Sequence, residues 1–396
     1  MRHSPPLRWP ALISGSLLLL CCAGCAVLGP IKHQVPRPEA GKPHAKAGAK
    51  AKAGPVEILD DGYTDVTGVI HIHTIYSDGG GNFEDVGRAA NQLRLDYLVV
   101  TDHNTLKPLR EGKQGWYGMT LVMIGSEIST RAGHYLALNI NEEIDRTKTT
   151  QDIIDNVSRQ GGLGFIAHPY FKKRPWIDWT VHGFTGIEGY NTVHDALDEN
   201  KLRIALWSIA MPADSVFLSM LERPSDSLAK WEEMIEQHGK VVGIGSADAH
   251  EVRILGLRIA PYELMFKLIR THVLLPTGTP LSKETFYPAL AAGHAYFAID
   301  LLADAEDFVF MADNGQAVQG IMGDEIALVP DLRLTTILSA PAQLELFRDG
   351  RSIAKTTNRL WHVPVTAPGV YRLEASRHGK PWIFSNPIYV KSPDSP

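Results

Sequence analysis

Between residues 67 and 250 the chain repeats one device: a short apolar run, bounded by Gly or Asp, with a proton- or metal-binding side chain at or near its end. The runs are TGVIH (67–71), DYLVVT (96–101), LVMIGS (121–126), GHYLALNI (133–140), GGLGFIAH (161–168), GIEGYN (186–191) and VVGIGSAD (241–248). Runs this short, with little polar alternation, suit strands buried on both faces. Between them FEDVGRAANQLR, QDIIDNVSRQ and SLAKWEEMIEQHG carry their apolar residues at helix spacing. Strands alternating with helices imply βαβ units and a parallel sheet, and about seven such strands predict a closed or nearly closed α/β barrel.

A barrel of that kind presents its reactive groups at the C-terminal ends of its strands. In chain order those ends supply His71 and His73, then Asp78, in HIHTIYSDGG; Asp102 and His103 in VVTDHN; Glu127 in IGSEIS; His134 in AGHYLAL; His168 in FIAHPY; and Asp248 with His250 in GSADAH. At spacing i, i+2, a continuing strand turns the imidazoles of His71 and His73 to one side. Asp248 and His250 repeat that spacing. Singly, each residue has a structural explanation: Asp78 shapes a turn before Gly79-Gly80, Asp102 caps a helix, His168 sits at a strand edge before Pro169. Those explanations do not account for imidazole and carboxylate, rather than Ser, Asn or Lys, after nearly every run, and the set points to a shared metal site. Glu188 and His194 are candidates for orienting or substrate contacts. Asp102 is expected to fix the orientation of an imidazole, and Lys172, Lys173 and Arg174 to clamp substrate oxygens.

The series H-x-H-T-x-x-S-D-G, T-D-H, G-x-E, A-H-P and G-S-x-D-A-H, in this order within residues 66–300, resembles the polymerase and histidinol phosphatase (PHP) family of metal-dependent phosphoesterases. The resemblance implies a distorted (β/α)7 barrel and two or three divalent ions, Zn, Mn or Fe. It assigns His71, His73, Glu127 and Asp248 to a first metal and Asp78, His103 and His250 to a second. Glu127, as a bridge, joins His134 and His168 on a third. Many members have histidine where this chain has Asp78, a hard oxygen ligand that favours Mn or Fe over Zn. Hydrolysis by a metal-bridging hydroxide is implied, on a phosphomonoester or phosphodiester, because three divalent ions outweigh three carboxylates and attract an anion. The same chemistry at carbon would hydrolyse a carbamate, ester or amide. PGVYRLE and PWIFSNPIYV are similar to the branch of the family named for carbaryl hydrolase. A metal-dependent binding lipoprotein without turnover is the remaining class.

The rest of the chain frames this centre. Its 396 residues leave room for one large domain and one small one. A net charge of −5, with no long basic run interleaved with aromatics beyond the first sixty residues, argues for a small-molecule partner rather than nucleic acid. Arg2, His3 and Arg8 precede ALISGSLLLL, too short to span a bilayer comfortably, and CCAGC then resembles a bacterial lipobox ending at Cys25. Residues 1–25 are therefore expected to be an export signal. The product would be periplasmic, or membrane-anchored if Cys25 is lipidated. All three cysteines lie in this segment, so the body needs no disulfide. Residues 26–57, containing AKAGAKAKAG, read as a basic flexible linker. Residues 58–304 read as the barrel, with Trp207 and Trp231 in its core or rim, and specificity is expected from 104–119 and 195–230. Residues 305–396 alternate polar with apolar and turn at Asp349-Gly350, Pro368-Gly369 and His378-Gly379, predicting a C-terminal antiparallel β-sandwich.

Overall fold

Every apolar run singled out above becomes a strand. The computed structural model describes residues 60–191, 213–254 and 257–393; the export signal, the linker, the three cysteines, His194 and Trp207 lie outside these. The first part contains β1 (Tyr63–Ile70), β2 (Tyr97–Val100), β3 (Gly115–Tyr117), β4 (Thr120–Ile124), β5 (Ser126–Ser129), β6 (His134–Leu138), β7 (Leu163–Ile166), β8 (Gly186–Asn191) and β9 (Val242–Ser246). Among them lie α1 (Phe83–Gln92), α2 (Lys107–Arg110), α3 (Thr150–Arg159), α4 (Ala213–Met220) and α5 (Ser225–His238). The N-terminus of α1 is fixed by a capping box between Asn82 and Asp85, and its Phe83, Val86, Ala89 and Ala90 are buried at helical spacing.

Two sheets carry these strands. In one, β1, β2 and β4 are parallel. In the other, β7, β8 and β9 are parallel, whereas β6 runs antiparallel to both β5 and β7. Single parallel bridges, Ile72 to Ala249 and His103 to Glu127, join the sheets beyond the ends of β1 and β2. The mixed α/β class is as expected, but strict alternation lapses between 115 and 138, where four strands follow one another. Only residues 130–133 separate β5 from β6, a length that fits a hairpin and leaves no room for a crossover helix. Gly186 is required where β8 meets β9, because a Cβ there would lie 1.9 Å from the Val242 carbonyl oxygen.

The chain continues through β10 (Val252–Ile254), β11 (Leu257–Ala260), α6 (Tyr262–Leu268), β12 (Arg270–Pro276), α7 (Lys283–Ala292) and β13 (Ala295–Ala298). Thereafter the described residues are all strand and loop: β14 (Val309–Asp313), β15 (Val318–Ile321), β16 (Glu325–Ala327), β17 (Arg333–Ile337), β18 (Gln343–Arg348), β19 (Arg351–Thr356), β20 (Leu360–Pro364), β21 (Gly369–Arg377), β22 (Lys380–Ser385) and β23 (Ile388–Lys391). Asp349-Gly350 and His378-Gly379 have positive φ at both positions, as two-residue hairpins require. Pro368-Gly369 makes no hairpin. It lies between β20, which pairs with β17, and β21, which pairs with β18, β22 and β23.

The change to all-strand structure near 304 is not a break in packing. β22 pairs antiparallel with β13, which pairs with β12 and so with β1, and one sheet runs through both regions. The apolar strand AYFA would otherwise present an open edge. Phe384 stacks on Phe297 with ring centroids 5.1 Å apart, and the Asn386 side-chain amide bonds both the N–H and the carbonyl of Gly243. Arg372, buried against Trp231, pairs with Glu232 of α5 and with Glu374 of β21.

Candidate metal centre

His71, His168 and Asp248 sit just past strand ends, where the backbone leaves extended geometry, whereas Glu127 lies within β5 and His134 opens β6 rather than ending it. β1 stops at Ile70, and His71 takes φ 70°, so the simple strand alternation expected for His71 and His73 does not hold. His168 (φ 24°) and Asp248 (φ 47°) follow β7 and β9 in the same way. Side chains other than Gly rarely occupy this region, at about 1–3 kcal/mol each, and such outliers gather where a site over-determines them.

All nine candidate ligands are brought into overlapping groups. His71 Nε2 lies 3.1 Å from Glu127 Oε2 and 3.3 Å from Asp248 Oδ1. His73 Nε2 lies 3.2 Å from each of the same oxygens. The other carboxylate oxygen, Glu127 Oε1, is 2.7 Å from His134 Nδ1 and 3.0 Å from His168 Nε2, and these two nitrogens are 3.2 Å apart. His103 Nδ1 is 3.0 Å from Glu127 Oε2, while its Nε2 faces Asp78 Oδ2 at 3.6 Å. Asp78 Oδ1 completes the outer group, 3.4 Å from His250 Nε2 and 3.6 Å from His73 Nδ1. His73 thus faces the inner group through one nitrogen and the outer group through the other.

These separations fit cations. Ligand atoms bound at about 2.0–2.1 Å in a tetrahedron stand roughly 3.3–3.4 Å apart, close to most of the distances above. His71 Nε2, His73 Nε2 and His103 Nδ1 are moreover buried and make no hydrogen bond among the described residues, although each faces carboxylate oxygens. A buried polar atom left in that state costs about 1–3 kcal/mol; a divalent cation among the oxygens and nitrogens would satisfy all three.

The electrostatics follow from the same packing. Burial opposes charge on His71, but Asp248, Glu127 and Glu188 together raise its pKa well above the ordinary value. Against the same burial, the facing carboxylates of Asp248 and Glu127 lift His73 to about 9. His103 goes the other way, to about 4, because its desolvation outweighs the pull of Glu127. Burial disfavours the Glu127 carboxylate, yet His71, His134 and His168 hold it well below its usual range. Protons on the inner histidines therefore occupy the role that cations would take, and metal binding must release them.

The supporting residues differ in part from expectation. Glu188 does orient an imidazole: its Oε1 is 2.6 Å from His71 Nδ1, and its Oε2 accepts from the His168 backbone N–H at 2.6 Å and from Asn191 Nδ2 at 3.0 Å. Among the described residues Asp102 has no imidazole as a hydrogen-bond partner. It accepts from Thr74 N at 2.8 Å, Thr74 Oγ1 at 2.7 Å and Ser77 Oγ at 2.7 Å, and so fixes the loop that presents Asp78. Although next to His103 in the chain, Asp102 reaches the neighbouring loop instead. Arg174 is exposed and donates to the Thr130 carbonyl at 3.1 Å rather than to the ligand cluster. Sequence reasoning missed Tyr262, whose hydroxyl donates to the His73 carbonyl at 2.6 Å; 189 residues separate the two, and no local pattern marks them. Thr74 and Ser77 were visible as the polar residues of H-T-x-x-S-D. Trp231 is fully buried, as expected.

No family model matches the chain. It is 33% identical over 115 residues to an uncharacterized protein of Methanocaldococcus jannaschii, a match that takes in 26% of this chain and 66% of that protein, just under two thirds of its length. Among solved structures it is similar to an amidohydrolase of Chromobacterium violaceum, with a TM-score of 0.32 and 15% identity, covering 46% of this chain and 87% of that one. It is also similar to a two-domain protein of Bacteroides vulgatus that contains a predicted PHP-like metal-dependent phosphoesterase, with a TM-score of 0.41 and 17% identity over 85% of this chain and 99% of that one.

Proposed function

We propose that this chain is a metal-dependent hydrolase of the PHP type that acts on a phosphoester. The observation that carries the reading is the convergence of six imidazoles and three carboxylates, Glu127 among them, into overlapping groups, with three ring nitrogens buried and unbonded among the described residues. His71, His73, Glu127 and Asp248 form the inner group, Glu127, His134 and His168 a second, and Asp78, His103 and His250 the outer one. Two or three ions of Zn, Mn or Fe suit these donors. Divalent ions bound there supply Lewis acidity toward a phosphoryl oxygen and make water a competent nucleophile near neutral pH.

The protein's own residues divide the work by depth. Side chains of His71, His73, Glu127, His168 and Asp248 are at most 3% exposed and exclude water from the inner side. Asp78 is 56% exposed, His103 24% and His250 26%, so substrate approaches from the outer group. His103, held neutral at pH 7, offers its nitrogens without first losing a proton. Asp102 holds the Asp78 loop in place, while Lys172 and Lys173 are proposed as substrate contacts, as is His194, which lies outside the described residues. Residues 1–25 are proposed to export the protein, with Cys25 as the point of lipid attachment.

The test is metal analysis of the full chain purified without chelator, joined to a panel of phosphomonoesters, phosphodiesters and aryl carbamates. Phosphoester turnover that disappears with chelator and returns with added metal is expected. Turnover of carbamates alone would move the reaction to carbon, and full metal content without turnover on any substrate would leave a binding protein.

A further inference from the structure

Building on the metal-centre reading, we propose that Glu188 is a positioning residue that locks His71 and His168 to each other, so that the metal groups containing them bind interdependently. His71 follows β1 and His168 follows β7, strands of different sheets. Both residues have positive φ, at 70° and 24°, so neither position is dictated by its own strand. Their imidazoles lie 5.8 Å apart and nearly parallel, at 25°. Glu127 meets both rings as a proposed ligand; outside the proposed ligand set, Glu188 is a carboxylate that touches both residues.

Glu188 stands in β8, beside β7, at a register shift in its pairing with β9. Such an irregularity re-aims a side chain. The Glu188 side chain is fully buried. Oε1 takes the His71 ring at Nδ1, which keeps a proton on that nitrogen and leaves Nε2, facing Asp248 and Glu127, as the nitrogen available to a cation. Oε2 takes the His168 backbone N–H, which sets where that residue's ring starts, and also the Asn191 amide. Three donors thus converge on two oxygens. Glutamine has the same shape but one acceptor oxygen, so its NH2 must face either the His71 N–H or the His168 N–H. Whichever way it turns, one histidine loses its hold.

The probe is Co2+ added to chelator-treated full-length protein and read by its visible d–d absorption, with a competing chelator to set affinity. Glu188→Gln should lose about 10–100-fold in Co2+ affinity, the range for an outer partner of a metal ligand. Asn191→Ala removes a donor from the same carboxylate but leaves both histidines held, and should remain near wild type. The decisive comparison is Glu188→Gln in a His71→Ala background, where the groups of His134 with His168 and of Asp78 with His103 and His250 remain. A further loss there supports a hold on His168; no further loss shows that Glu188 serves His71 alone and overturns the proposal, as does wild-type affinity in Glu188→Gln itself. If Glu188→Gln does not fold, Glu188→Asp, which keeps two oxygens but is one methylene short, carries the same comparison, and wild-type Co2+ affinity there overturns the proposal. Wild-type protein that binds no Co2+ would instead remove the metal-centre reading.

Discussion

Replacing Glu127 by glutamine is the sharpest test of the centre, because every inner histidine meets this one carboxylate. Oε1 faces His134 and His168 at 2.7 and 3.0 Å, and Oε2 faces His71, His73 and His103 at 3.1, 3.2 and 3.0 Å. The side chain is 1% exposed, so water cannot replace it. Without metal, Glu127 balances the charge that Asp248 and Glu188 help to place on His71. Removing one partner from a buried charged set costs about 3–5 kcal/mol. At roughly 2 °C per kcal/mol for a chain of this size, the metal-free melting temperature should fall by about 6–10 °C. With metal the loss should be larger, since glutamine cannot bridge the groups as an anion, and part of the binding free energy is folding free energy. Calorimetry in chelator and in added metal, with elemental analysis of each sample, measures both effects. A Glu127→Gln protein that keeps wild-type metal content and melts within about 2 °C of wild type in chelator would refute the hub role.

Asp102→Asn should weaken the outer metal group selectively, because its one oxygen can keep Thr74 N and Ser77 Oγ but its NH2 cannot accept from Thr74 Oγ1; a stability loss of about 1–3 kcal/mol should accompany it, read by denaturant melts alongside metal titration. Buried His272 lies between Asp65 and Asp300, at 3.0 and 3.4 Å, and against the effect of burial these carboxylates raise its pKa to about 10. Its stabilising effect should therefore be complete below about pH 6.5 and vanish as pH rises through 10, so the melting-temperature gap between wild type and His272→Gln should narrow from pH 6 to 11; a constant gap would disprove the pairing. Phe384→Ala, at a side chain 1% exposed and stacked on Phe297, should cost about 3–5 kcal/mol by chemical denaturation. Truncation at 304 should abolish cooperative melting altogether, because it strips β22 from β13; a cooperatively folding 58–304 fragment would show that the two regions are independent.

The elements and the ligand types could be read from the sequence because their signals are local. An apolar run such as VVGIGSAD specifies a buried strand within eight residues, and FEDVGRAANQLR specifies a helix and its buried face by spacing alone. The donor types were legible for the same reason: few residues other than His, Asp and Glu perform that chemistry, and they recur at or near the ends of the apolar runs, although His134 opens its strand and Glu127 lies within one. What each donor faces was not legible. Glu127 and His71 are 56 positions apart, Glu188 and His71 117, and Tyr262 and His73 189, so no window of sequence contains both partners. The same limit applies to Asp102, which is next to an imidazole in the chain but bonds Thr74 and Ser77 of the loop that follows β1. It applies to AYFA, whose sequence shows an apolar strand but not that β22, some ninety residues on, covers its edge. Side-chain periodicity records which face of an element is buried; which element buries it, and which nitrogen meets which oxygen, depends on backbone paths that only the packed chain fixes.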